Sequence, residues 1–399
     1  MLVFINTFGE DRPGMVSEMA LLLSKFDAEI LDIGHAVIHT YLSMGLLVKL
    51  PQGLDCLKES VSKLDISVKF TPIDLESYEK WLGPQERPRQ ILTLLARKIS
   101  ASHLAEVSSL IEMYGLRIDN ILQLSGRVPP LENGVMETKN STECVEFVLR
   151  GEASKSFREA LLKLCTSQEI DIAVQEDNIF RRHRRLIAFD MDSTLIKTEI
   201  IDELAKVVGS SSEVSRITEL AMQGQLEFCD SLKQRVALLA GLSEQQMKKI
   251  ADHLPLTEGA KTLVRSFKKL GYKTAIISGG FMYFGKILQE LLDIDYVFAN
   301  ELEIVNGQLT GRVLDPIIDA EKKEELLRML AQKENISLQQ VIAVGDGAND
   351  LGMLQAAGLG IAFHAKPFLK KNAEQSISTF GLDSILYLMG IRNTDALDS

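Results

Sequence analysis

The chain has 399 residues, of which 46% are hydrophobic and 25% charged, and a formal net charge of −11. That length exceeds one ordinary core and predicts roughly two to four domains. The acidic balance supplies no broad cationic footprint for nucleic acid, and no apolar run reaches the ~18 residues needed to span a bilayer.

Met1-Leu-Val-Phe-Ile-Asn6 carries no basic region and enters a strand-like run at once, unlike a signal peptide. The four cysteines, Cys56, Cys144, Cys165 and Cys229, are scattered, with neither zinc spacing nor a disulfide framework. Both features predict a reducing, cytoplasmic setting.

From the amino terminus to about residue 75 the pattern is strand, helix, strand, strand, helix, strand. The predicted strands begin with Leu2–Thr7 and continue near Ile30–His39 and Leu42–Leu50. A turn at Asp11-Arg-Pro-Gly14 opens a helix through about Lys25, and a second helix lies near Leu54–Leu64. This order, with Gly9-Glu-Asp-Arg-Pro-Gly-Met-Val16, resembles the ACT family of ferredoxin-like βαββαβ modules. The resemblance implies an amino-acid effector at this first module, and edge-to-edge pairing into a homodimer. The free backbone N–H groups at the helix start suit a carboxylate.

Glu76–Pro88, with Pro84 and Pro88, reads as a linker. A weaker copy of the module follows over 87–178, with a strand at Ile91–Leu95, a helix at Ala101–Tyr114 and a strand at Leu116–Leu124. It has Arg97-Lys-Ile-Ser100 in place of the Asp-Arg-Pro-Gly turn, and Gly126–Asn140, with Pro129-Pro130, reads as an internal loop. The basic run Arg181-Arg-His-Arg-Arg185 fits a solvated linker better than a nucleic-acid patch.

From Leu186 strands alternate with helices, the pattern of a parallel sheet covered on both faces. Leu186–Phe189 reads as a buried strand that delivers Asp190 and Asp192. Period-two alternation predicts that both start on one side while Met191 points away. Two like charges so close call for a divalent cation and distinct chemical roles, although a strand ending in a polar turn has the same residues. Lys273–Ile277 is a second buried strand ending in Ser278-Gly279-Gly280, whose hydroxyl and N–H groups suit phosphoryl oxygens. Lys322-Lys323 precedes a helical pattern, by itself the solvated first turn of a helix. Val341–Val344 is a third buried strand, ending in Gly345-Asp-Gly-Ala-Asn-Asp350, an oxygen-rich loop suited to Mg²⁺. About 60 residues with helical periodicity separate Asp192 from a helix starting near Glu258.

Asp-x-Asp, Ser-Gly, Lys and Gly-Asp-x-x-x-Asp, in that order, resemble the haloacid dehalogenase superfamily. Asp190-Met-Asp-Ser-Thr-Leu-Ile-Lys-Thr-Glu199, Gly345–Asp350 and Ala362-Phe-His-Ala-Lys-Pro367 resemble its phosphoserine phosphatase family. The resemblance implies a Rossmann-like α/β domain over 183–395, with a helical cap at about 197–256, behind the two ferredoxin-like modules. It implies Mg²⁺-dependent hydrolysis of phosphoserine, the last step of serine biosynthesis. Asp190 becomes the nucleophile and Asp192 the acid and base. Lys323 neutralises the phosphoryl oxygens, helped by Ser278, Gly279 and Asn349. Metal ligands are Asp190, Asp346 and the Asp192 carbonyl, with Asp350 direct or supporting. In the cap, Glu199 meets the substrate ammonium, Arg235 its carboxylate, and Met222 and Phe228 form an apolar lid. Another small phosphorylated amino acid is the nearest alternative substrate. An amino-acid sensor with secondary phosphatase activity is the alternative of another class.

Overall fold

The computed structural model describes all residues except 52, 63–65, 127–141 and 393–399. The loop expected at Gly126–Asn140 therefore lies, beyond Gly126, outside the described residues. The chain forms two compact units, the first Met1–Arg87, the second beginning at Pro88.

In the first unit, strands β1 (Leu2–Glu10), β2 (Glu29–Ile38), β3 (Tyr41–Lys49) and β4 (Ser67–Ile73) make an antiparallel sheet in the order β2-β3-β1-β4. Alternation along β3 buries Leu42, Met44, Leu46 and Val48 with Met15, Met19, Leu23 and Leu57 of the two helices, Met15–Ser24 and Leu54–Val61. The expected linker is partly helical, because Asp74 accepts a hydrogen bond from the Ser77 N–H (2.7 Å) and caps a helix over Leu75–Leu82. The prolines at 84 and 88 act only beyond that helix.

The second unit begins with the same topology. Strands β5 (Arg89–Ala96), β6 (Arg117–Gln123), β7 (Glu143–Arg150) and β8 (Asp171–Glu176) are ordered β6-β7-β5-β8. A seven-stranded sheet follows, made of β9 (Leu186–Phe189), β10 (Lys273–Phe281), β11 (Tyr296–Val305), β12 (Gln308–Leu314), β13 (Val341–Gly345), β14 (Leu359–Phe363) and β15 (Gln375–Ile377). Its order is β12-β11-β10-β9-β13-β14-β15. The chain builds outward from β9 to one side, then returns to build the other. The carboxyl ends of β10, β9 and β13 therefore meet at the point where direction reverses, where such sheets open a crevice.

The sheet is not wholly parallel as expected, since β12 returns antiparallel against β11. That hairpin supports the cap. Gly241 N–H donates to the Leu309 carbonyl and Leu309 N–H to the Leu242 carbonyl, each at 2.8 Å. The cap consists of helices Ile200–Val208, Ser211–Met222, Phe228–Ala237 and Glu244–Ala251. Its two connecting segments run side by side, with an antiparallel bridge between Ile196 and Leu256 and Lys197 N–H donating to the Pro255 carbonyl (2.9 Å).

The exposed edges of two sheets meet at β8 and β15. The Gln375 amide copies a strand neighbour: its Oε1 accepts from Val174 N–H (2.9 Å) and its Nε2 donates to Val174 O (2.6 Å). Asp171 accepts from the N–H groups of Ser378 (2.9 Å), Thr379 (2.8 Å) and Phe380 (3.3 Å). Arg181 and Glu146 form a buried ion pair, so the basic run is not simply a solvated linker. Leu95, Leu124, Cys144 and Ala173 share one buried apolar cluster with Phe189 and Phe380. This contact satisfies backbone groups of Val174 and of residues 378–380 and covers part of an edge that would otherwise be open to another strand.

A chain starting at Pro88 should unfold cooperatively and retain the stability of this unit. One starting at Arg181 loses the cover of β15 and leaves Arg181 without Glu146. It should melt lower or aggregate, as read by circular dichroism and light scattering. Equal melting of the two truncations would show that the contact contributes nothing.

Candidate active site

Strand β9 stops at Phe189, and Asp190 stands extended just beyond it. The expectation that Asp190 and Asp192 share one strand face is corrected here. Asp192 belongs to an irregular turn over Met191–Leu195, in which Ser193 has a φ of 55° and Met191 is fully buried. The two carboxylates reach one crevice from beyond the end of the strand, Asp192 through this turn, and not from one strand face.

Each Asp190 oxygen has a partner. Oδ1 accepts from the Met191 N–H (2.7 Å), and Oδ2 lies 2.9 Å from Lys323 Nζ. Lys323 sits in the first turn of the helix Ala320–Lys333, which Asp319 caps by accepting from the Lys322 N–H (2.9 Å). The helix turns Lys322 outward to pair with Glu325, while Lys323 is fully buried and also meets Asp350 Oδ1 at 2.7 Å. Burial opposes the ammonium charge, yet Asp190 and Asp350 outweigh it and raise the lysine pKa. Asp350 Oδ2 accepts from the N–H groups of Asp346 (3.1 Å) and Gly347 (3.0 Å), so both of its oxygens are engaged. Any side chain at Gly345 would strike the Asp350 carboxylate.

Asp190, Asp346 and Asp350 bring carboxylate oxygens within 4.8 Å of one another. Burial, then the charges of Asp190 and Asp350, push Asp346 up to about 7, with Lys366 pulling the other way. Burial and Asp190 raise Asp350 to about 6 against Lys323. Asp192 is held well above the usual carboxylate range by burial, Glu199 and Asp190, although its Oδ1 accepts from the Ile200 N–H (3.0 Å). Three acids repelling one another in a buried, oxygen-only donor set fit a hard divalent cation.

At the end of β10, Ser278 Oγ accepts from the Gly280 N–H (2.9 Å), and a side chain at Gly280 would collide with Asp192 and Met191. The Ser-Gly-Gly segment therefore closes directly on the Asp192 turn. Asn300, buried in β11, was not singled out by the sequence. Its Nδ2 donates to the Gly279 carbonyl (2.8 Å), and its Oδ1 accepts from the Ile318 N–H (2.7 Å). It ties the Ser-Gly segment to the approach to the Lys323 helix. A single Asn inside a strand gives no motif by which to find it. Lys366, 3.7 Å from Asp346 and 3.8 Å from Glu199, lies in the noted Ala362–Pro367 segment but was also not singled out.

Among the cap residues, the Phe228 ring lies close over Gly279. Glu199 accepts from Ser193 Oγ (3.0 Å). Arg235 is partly buried, bonded within the cap to the Ser231 carbonyl (3.3 Å) and Thr218 Oγ1 (3.5 Å). Burial lowers its pKa while the charges of Glu199, Asp202 and Asp192 pull it upward. No carboxylate among the described residues forms an ion pair with it. Met222 ends its helix, and its side chain lies outside the described residues. Asn349 is partly exposed on the Gly347–Asp350 turn.

The first unit has its own cavity of about 300 Å³, lined by Asp11, Arg12, Gly14, Ser17 and His35 among others. Arg12 there is paired with Glu18 at 2.7 Å.

The haloacid dehalogenase-like hydrolase family matches residues 184–358, and the ACT domain family matches residues 1–76. Phosphoserine phosphatase of Streptomyces coelicolor is 37% identical over 98% of this chain and 92% of its own length. Phosphoserine phosphatase of Mycobacterium tuberculosis is 36% identical over 98% and 93%. Among solved structures, a HAD family hydrolase from Salmonella enterica serovar Typhi superposes with a TM-score of 0.66. It has 30% identity and covers 75% of this chain and 98% of that one. A probable phosphoserine phosphatase from Vibrio cholerae has a TM-score of 0.59 and 32% identity, and covers 77% of this chain and 88% of that one. With its buried acidic crevice, its helical cap and this likeness along nearly the whole length, the chain belongs to the phosphoserine phosphatase family of haloacid dehalogenase-like hydrolases.

Proposed function

We propose that this chain hydrolyses L-phosphoserine to L-serine and phosphate, the closing step of serine biosynthesis. The observation that carries the reading is Lys323, buried between Asp190 and Asp350 beside an Asp192 held toward its protonated form. In this reading Asp190 attacks phosphorus while Asp192 gives its proton to the departing serine oxygen as the P–O bond breaks. Asp192 then takes a proton from the water that cleaves the aspartyl phosphate, restoring Asp190 and releasing phosphate. Lys323 neutralises charge on the phosphoryl oxygens, and Ser278, Gly279 and Asn349 cradle them.

Asp190, Asp346 and the Asp192 carbonyl are the residues to hold Mg²⁺, which would offset the negative charge of nucleophile and phosphate. Asp350, with both oxygens already engaged, supports the site by orienting Lys323 and the Asp346 loop.

The cap distinguishes phosphoserine from simpler esters. Glu199 suits its ammonium and Arg235 its carboxylate, with Met222 and Phe228 closing over it to exclude water. The cavity at Asp11–Ser17 in the first unit suits an amino-acid effector. A cytoplasmic homodimer completes the reading. It is supported by four free cysteines and by the ACT match.

Phosphate release from phosphoserine should stop on chelation and return with Mg²⁺. Asp190→Asn should lower kcat by at least about a thousandfold with the far-ultraviolet circular dichroism unchanged. Full turnover in either condition would remove the mechanism.

Arg235→Ala should weaken transition-state binding of phosphoserine by about 2–5 kcal/mol, the cost of stranding a charge partner. Phosphoethanolamine, which has no carboxylate, should lose far less. Equal losses in kcat/KM would make Arg235 a structural residue of the cap.

A further inference from the structure

The basic run Arg181-Arg-His-Arg-Arg185 has no part in the reaction above, and the fold divides it. Arg181 turns inward to Glu146. The next residues line a cavity of about 450 Å³ that also collects Arg392 and Tyr272. Four arginines, Arg182, Arg184, Arg185 and Arg392, thus surround one opening, and its lining contains no Asp or Glu. None of the four has an ion-pair partner among the described residues. In a chain of net charge −11, such a concentration of one sign is a local reversal of the field.

The site is built rather than loosely exposed. Arg184 is only 5% exposed. Its Nη1 donates to the Gln339 carbonyl (2.9 Å), and its Nε has no partner. Burial lowers its pKa to about 10, and of the groups around it only the Tyr272 hydroxyl acts to raise it. A guanidinium buried without a counter-charge is unfavourable, and an anion entering the cavity would relieve it. The backbone holds the floor in place. Arg185 N–H donates to the Gln340 carbonyl and Lys273 N–H to the Arg185 carbonyl, each at 2.8 Å. Leu270, Met389 and Ile391 add apolar surface.

Arg185 precedes β9 and Tyr272 precedes β10, so the cavity lies at the amino ends of two strands whose carboxyl ends lead to Asp190 and to Ser278. The volume falls in the range of ordinary small-molecule sites, about 300–1,000 Å³. Planar guanidinium groups match phosphate oxygens in pairs. We propose that this cavity is a second anion site, separate from the catalytic crevice. It takes a phosphorylated small molecule of about mononucleotide size, whose uncharged part rests on Tyr272 and the apolar floor.

The test uses the full chain and three probes, ADP, pyrophosphate and adenosine, in equilibrium dialysis or calorimetry. The variant is Arg182→Ala with Arg185→Ala, two exposed positions. It should leave phosphoserine turnover and the melting temperature unchanged. ADP and pyrophosphate should bind the wild type and bind the variant at least about tenfold more weakly, the loss expected for a charge-assisted contact. Adenosine should bind neither. Equal ADP affinity in wild type and variant would overturn the proposal. So would a wild-type affinity fully accounted for by competitive inhibition at the catalytic crevice, or adenosine binding as well as ADP.

Discussion

Charge balance around Lys323 is the constraint on which the rest of the active site depends. One ammonium, out of contact with water, stands between Asp190 and Asp350, while Asp346 crowds the same space. Removing a lysine from water is costly unless its partners are fixed and their remaining oxygens are satisfied. The molecule meets both conditions with backbone groups. Met191 donates to Asp190, and Asp346 and Gly347 donate to Asp350. The balance is still negative, which adds to burial in raising the pKa values of Asp346 and Asp350. The same excess of negative charge suits the crevice to a divalent cation.

Such a site requires close approach of four separate chain segments. Gly345 and Gly280 lack side chains where the Asp350 and Asp192 carboxylates pass. Asn300 fastens two of the segments with one amide, its nitrogen on Gly279 and its oxygen on Ile318. Buried polar networks of this kind are rigid when every member is paired. Rigidity matters here because phosphoryl transfer depends on positioned charge more than on covalent variety.

The two ferredoxin-like modules share topology but differ in their surroundings. The second abuts the catalytic sheet at β8 and β15, with Gln375 and Asp171 supplying side-chain partners where strand ladders end. Its apolar residues enter the same cluster as those of the central strand β9. The first has the Asp-Arg-Pro-Gly turn and a cavity at Asp11–Ser17, and the second lacks that turn. In the second, the edge at β8 is packed against the phosphatase sheet.

Much of this was legible in the chain itself. The βαββαβ order of the first module, the buried strands before Asp190, Ser278 and Asp346, and the helical character of the segment between Asp192 and Glu258 follow from short-range periodicity and turn residues, which act within a few positions, while the family resemblance implied that this segment is a cap. Other features were decided only by tertiary structure. The linker sequence became a helix once Asp74 capped it. Asp190 and Asp192 meet through an irregular turn that no alternation rule describes. Which of Lys322 and Lys323 faces inward depends on where the helix begins and what it packs on. Asn300, the Gln375 contact with Val174 and the arginine cavity join residues from about 20 to about 210 positions apart. Their partners are chosen by the strand order of the sheet, and a linear pattern has no term for that order.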